Sequence, residues 1–88
     1  MLKLIYWRRF EKDLKLAQKR GHNIEKFTIV VDLLLSEESL PPKMCNHKLK
    51  GEYTNYWECH IEPDWLLIYQ KTADSLILAR TGTHADLF

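Results

Sequence analysis

Tyr56-Trp57-Glu58-Cys59-His60-Ile61, then Glu62-Pro63-Asp64, then Trp65-Leu66-Leu67-Ile68-Tyr69, then Lys71-Thr72-Ala73-Asp74, then Leu76-Ile77-Leu78-Ala79-Arg80 reads as strand, turn, strand, turn, strand. Tyr56, Glu58 and His60 alternate with Trp57, Cys59 and Ile61, the two-residue period of a strand with one face buried. Pro63 and Asp64 in the first break, and Asp74 in the second, supply turn chemistry. The last two strands are apolar at nearly every position, which puts them in the middle of a sheet.

The first half has other periods. Met1–Tyr6 alternates and predicts an opening strand. From Trp7 onward, Phe10, Leu14 and Ala17 fall at i, i+4 and i+7, a helical stripe among Lys and Arg. Lys19-Arg20-Gly21 supplies cations in a last turn and a residue free to take positive φ, a helix stop. Asn23 can cap a second helix with the stripe Ile24, Phe27, Val31 and Leu34, and Pro41-Pro42 ends it. A short Gly turn joins the two helices as a hairpin. The order β-α-α-β-β-β predicts one α+β domain over residues 1–88. It is a small antiparallel sheet with an N-terminal helical hairpin packed on one face. The other face is left to water or to a partner.

The 88 residues are 45% apolar and include three Trp, four Tyr and three Phe, enough for a core. Three Gly and three Pro exclude collagen-like and low-complexity chains. No apolar run approaches the roughly 18–20 residues of a membrane span. The start is too short in apolar residues for a signal peptide and meets Arg8-Arg9 at once. Cys45 and Cys59 allow one disulfide at most, so reduced thiols and a cytoplasmic location are expected, with no membrane partner. Net charge is only +1, yet unevenly spread. Residues 1–26 carry eight Lys/Arg against Glu11, Asp13 and Glu25, so this segment is net +5 and the remainder net −4. Such a stripe is either a solvated helix face or the footprint of a polyanion.

Three of the four histidines, His47, His60 and His84, lie in the second half, together with Asp64 and Arg80 of the meander. His60 and Asp64 flank one turn and can be neighbours. Alternation puts Arg80 on the face of Leu76 and Leu78. Histidines, a carboxylate and an arginine on a sheet face suit metal-free RNA cleavage. One group takes the ribose 2′-OH proton, another protonates the leaving 5′-oxygen, and a guanidinium holds the charged phosphate. Tyr53, Tyr56, Trp65 and Phe88 offer surfaces for unpaired bases. Each residue also has a plainer reading: a surface histidine, a core Trp65, an Asp64 chosen for its turn, an Arg80 paired with Asp64 or Glu58. A zinc set of Cys45, His47, Cys59 and His60 is disfavoured by its spacing and by alternation, which sends Cys59 and His60 to opposite faces. No metal or other cofactor is expected. No phosphate-binding glycine loop or nucleophile elbow is present.

His47-Lys-Leu-Lys-Gly51, His60-Ile-Glu-Pro-Asp64-Trp65 and Arg80-Thr-Gly-Thr-His84-Ala-Asp-Leu-Phe88 together resemble the YafQ family. These are toxins of type II toxin–antitoxin modules in the RelE-like superfamily. The likeness runs through nearly the whole chain, the first helix included. It implies a RelE-like fold and a ribosome-dependent endonuclease that cuts mRNA in the ribosomal A site. It implies acid–base roles for His47, Asp64 and His84, support from His60, and phosphate stabilisation by Arg80. Trp65 and Phe88 then shape the mRNA pocket, with Lys48 and Lys50 on the substrate side. Implied partners are the ribosome with its mRNA, a DinJ-like antitoxin, and operator DNA only through the antitoxin complex. One departure stands out: where the family commonly has Arg, this chain has Trp57, which shares its face with Ile61 and reads as core. Two other readings are a silent antitoxin-binding module or corepressor, which the complete histidine set disfavours, and a ribosome-independent RNase. The latter calls for more cations at the cleavage face than residues 27–88 supply.

Overall fold

The computed structural model describes residues 1–88 and contains a five-stranded sheet in the order β1-β5-β4-β3-β2. The strands are β1 (Lys3–Tyr6), β2 (His47–Lys48), β3 (Trp57–Glu62), β4 (Trp65–Lys71) and β5 (Ser75–Gly82). The helices are α1 (Arg8–Lys19), α2 (Ile24–Leu35) and the single turn α3 (His84–Leu87). Short 3₁₀ turns occur at Pro42–Met44 and Gly51–Tyr53. No helix is long and apolar enough to cross a membrane.

The helical hairpin forms where the stripes predict it. α1 buries Phe10 and Ala17. It stops at Gly21, whose φ of 84° lets its N–H and that of His22 reach back to Gln18 O and Ala17 O. Asn23 Oδ1 then accepts the Glu25 N–H at 2.9 Å and starts α2. The α+β class and the central position of the two apolar strands hold. The sheet is mixed, however, because β1 pairs with β5 in parallel, Lys3 opposite Ser75 through Tyr6 opposite Leu78. The hairpin carries the chain from β1 on one edge to β2 on the other, and β3, β4 and β5 then return across the sheet until β5 lies beside β1.

Two apolar clusters face opposite sides of the sheet. The helix side holds Phe10, Ala17, Val30, Val31, Leu34, Cys59, Ile61, Trp65, Leu67, Tyr69, Leu76 and Leu78, among others. Trp57 lies on this side, opposite Tyr69, but it is not core: it sits toward the sheet edge beside β2, is 36% exposed and stays outside the buried cluster. The far side is not left bare. Leu66, Ile68, Ala79 and Leu87 are buried there, with Leu49, Tyr53 and Tyr56 packed over them. Residues 49–56 and α3 thus form a partial second layer.

Candidate active site

Sheet register assembles the site. His47 pairs with Glu58, Glu58 with Ile68 and Ile68 with Arg80, so one row crosses four strands on the far face. The next row is His60, Leu66 and Gly82. α3 starts two residues beyond Gly82 and returns His84 over this face, where its ring meets the His60 ring edge-on at 5.7 Å.

Arg80 reaches this face because of a β-bulge. Register slips between Ile68 and Tyr69, leaving Ala79 as the extra residue, so Leu78 and Arg80 lie on opposite faces despite being two apart. Alternation from Leu76 and Leu78 therefore gave Arg80 the wrong side. Its partner is also neither Asp64 nor Glu58 but Asp13 of α1. Nε donates to Asp13 Oδ2 at 2.6 Å, Nη2 to Oδ1 at 3.3 Å, and the Thr81 N–H to Oδ2 at 3.3 Å. This two-pronged, mostly buried pair raises the Arg80 pKa and fixes the plane of the guanidinium. Nη1 stays outside the pair.

The histidines are held by acceptors that fix their tautomers. A carbonyl only accepts, so His47 Nδ1 donates to Cys45 O at 2.7 Å and turns Nε2 toward Glu58. Glu58 is buried and lies 3.5 Å from both His47 Nε2 and His60 Nε2. Asp64 Oδ1 accepts from the His84 N–H at 3.0 Å and from His84 Nδ1 at 2.8 Å. His84 Nε2 is thereby left to the open side. Those same bonds, the backbone one first, hold the Asp64 carboxyl below its ordinary range. Asp64 is thus a fixed anion that orients His84, and it does not touch His60.

Two expected substrate residues sit elsewhere. Trp65 is fully buried in the helix-side core, covered by the His22 ring at 4.5 Å, with its Nε1–H unpartnered. It cannot stack on a base without the core opening. Lys48 pairs with Trp57 and so projects from the side away from His47. Lys50 is exposed at the start of the covering segment. Phe88 is exposed at 64% and touches Tyr53, ring centroids 6.0 Å apart, beside the site.

Glu58 and Asp13 belong to the assembly although their types do not single them out, and Tyr53, expected as a base surface, lies there against Phe88. Glu58 has one signal in the sequence: it shares strand parity with His60. The Cys45/His47/Cys59/His60 zinc set is not assembled, since Cys59 is buried on the helix side. Burial, with the Glu58 charge behind it, pushes that thiol up to about 12. Ligand atoms of Glu58, His60 and His84, by contrast, lie within 4.8 Å of one another.

Three carboxyls are depressed: Asp86 to about 2, mainly by Arg20, Asp64 by His84, and Glu62 by Lys26 and His22. A carboxyl with a folded pKa below its unfolded value of about 4 stabilises above that value. The contribution disappears as pH falls through the folded pKa. The melting temperature should therefore fall modestly as pH drops from about 4 to 2, modestly because all three groups are open to solvent. Circular dichroism melts of Asp86→Asn should show a shallower fall; an equally steep one would rule out Asp86 as a contributor.

The chain has clear relatives among known proteins. Residues 2–88 match the family model described as bacterial toxin of type II toxin–antitoxin system, YafQ. The mRNA interferase toxin YafQ of Escherichia coli K12 is 43% identical over 84 residues, 94% of this chain and 91% of that protein. An E. coli DinJ–YafQ complex superposes with a TM-score of 0.93 at 40% identity, covering 100% of this chain and 99% of that one. A copper-bound mutant toxin from Helicobacter pylori superposes at 0.95 with 39% identity, each chain covered completely. Fold and relatives define an endoribonuclease toxin. The chain belongs to the YafQ family of type II toxin–antitoxin systems.

Proposed function

We propose that this chain, acting as a single toxin domain, cuts mRNA on the ribosome by acid–base attack of the ribose 2′-OH. The observation that carries the reading is the His84–Asp64 pair facing the His47–Glu58–His60 set on one accessible face, with Arg80 in the same row. Cleavage needs two proton-transfer groups on either side of one phosphate. His84 Nε2, its other nitrogen committed to Asp64, is one. The imidazoles held by Glu58 are the other, His47 reacting through Nε2 and His60 steadying Glu58. Arg80 offers Nη1 to the phosphate as charge builds, its plane set by Asp13. Phe88 and Lys50 serve the flanking nucleotides, whereas Trp65 and Lys48 have no direct part.

Primer extension on one reporter mRNA, with and without translating ribosomes, tests this. Cuts confined to the translated sample and in codon register are expected. Cuts in both samples would make the chain a free RNase. The basic α1 suits ribosomal RNA, and its dense charge also suits an acidic, DinJ-like antitoxin segment, as in the E. coli complex. Operator binding then requires that antitoxin.

The cluster of Glu58, His60 and His84 also fits a transition-metal ion, with two imidazole nitrogens, one carboxylate oxygen and open positions. A copper ion held by these residues would occupy the imidazole lone pairs that proton transfer needs and would therefore inhibit. Added Cu²⁺ should suppress cleavage and a copper-selective chelator that spares the ribosome's Mg²⁺ should restore it, while that chelator alone leaves the rate unchanged. A rate that falls with chelator alone would overturn the acid–base scheme.

A further inference from the structure

We propose that Arg20, acting through Asp86, is a positioning residue for His84. This rests on His84 being a proton-transfer group. α3 is one turn long, and a lone turn gains too few hydrogen bonds to hold itself. Its placement has to come from side chains. Leu87 anchors one side in the far-face cluster. Thr83 and Asp86 form a capping box: Thr83 Oγ1 accepts the Asp86 N–H at 3.1 Å, and Asp86 Oδ2 accepts the Thr83 N–H at 3.0 Å. Asp64 holds the first residue of the turn.

Arg20 completes the frame from the opposite direction. Nη1 donates to Asp86 Oδ2 at 2.6 Å and Nη2 to Oδ1 at 3.4 Å, so the oxygen that caps Thr83 is also the one Arg20 grips. Arg20 is itself fixed, because it is the C-cap of α1 with its N–H on Leu16 O at 3.0 Å. α1 is in turn packed on the sheet through Phe10 and Ala17. A continuous line of bonds therefore runs from the first helix through Asp86 and Thr83 to His84. Gly82 permits the close fit: a Cβ there would lie 2.9 Å from Asp86 Cβ and 3.0 Å from Oδ2. An exposed ion pair adds little to global stability. Here its effect is geometric, since slack in Asp86 becomes displacement of the imidazole two residues earlier.

Arg20→Met should lower the single-turnover rate on ribosome-bound mRNA about tenfold, with KM unchanged and the melting temperature within a few degrees of wild type. Arg20→Lys should recover most of the rate, and Gly82→Ala should mimic Arg20→Met. The double variant Arg20→Met/Asp86→Asn should be no slower than Asp86→Asn alone. A readout independent of cleavage is NMR hydrogen exchange of the His84 N–H, which donates to Asp64 Oδ1 at 3.0 Å. Its exchange should quicken in Arg20→Met as α3 loosens. Wild-type cleavage by Arg20→Met, or an unmoved His84 exchange rate, overturns the proposal. A wild type that cuts nothing on ribosomes refutes the functional reading, and the exchange rate then decides the positioning role on its own.

Discussion

His84→Ala should slow mRNA cleavage by about 10²–10⁴-fold, the range lost with a positioned acid–base group, and leave the melting temperature within a few degrees of wild type. The imidazole is more than half exposed and lies outside both apolar clusters. Its removal opens no cavity, and the capping box and Leu87 still hold α3. Asp64→Asn separates orientation from charge: an amide oxygen can still accept the His84 N–H, but the fixed anion beside Nδ1 is gone. Its rate should fall between wild type and His84→Ala. Primer extension on translated mRNA reads both. A His84→Ala protein that cuts at the wild-type rate would move catalysis away from α3 and leave His47 and Glu58 as the groups to examine.

The largest effect on stability is expected from Trp65→Ala, about 3–5 kcal/mol by analogy with buried aromatic truncations. Against the roughly 5–15 kcal/mol that holds a domain together, that loss leaves little. The ring is wholly buried in the helix-side core, with His22 stacked on it and that imidazole held in turn by Glu62. Trp65→Phe should lose far less, because it keeps a ring in the space and removes a buried N–H that has no acceptor. It should also cleave normally, which a base-stacking Trp65 would not allow. Phe88→Ala is the contrast: the residue is exposed, so activity should drop while the melting temperature stays. Urea unfolding alongside the cleavage assay separates the two cases.

The meander, the helical hairpin and the Gly21 stop were legible because each repeats a period or carries its own turn residue. The parallel pairing of β1 with β5 was not, since nothing local to Met1–Tyr6 records which strand it joins. β2 has two residues, too few for any period, and His47 was therefore placed by motif rather than by strand. The bulge at Ala79 defeated strict alternation, and with it the side assigned to Arg80. Asp13 reads as one more charge on a solvated helix until the fold brings it 67 positions along the chain to Arg80. Trp65 illustrates the reverse: it sits inside a motif otherwise devoted to the site, yet Leu66, its neighbour, faces the histidines while it faces the core.

The parallel β1–β5 pair has a consequence for biosynthesis. Lys3 bonds to Asp74 O and pairs with Ser75, so the first strand made waits for the last one before it has a neighbour. Local helices form early, but contacts of such long sequence separation close late. During translation the α1–α2 hairpin can emerge and collapse, while the sheet stays open at β1 until β5 leaves the exit tunnel. Arg80 and His84 arrive with or after β5. The nascent chain thus has no assembled cleavage face, and no means of cutting RNA, until the segment carrying Arg80 and His84 has left the tunnel and β5 has paired with β1.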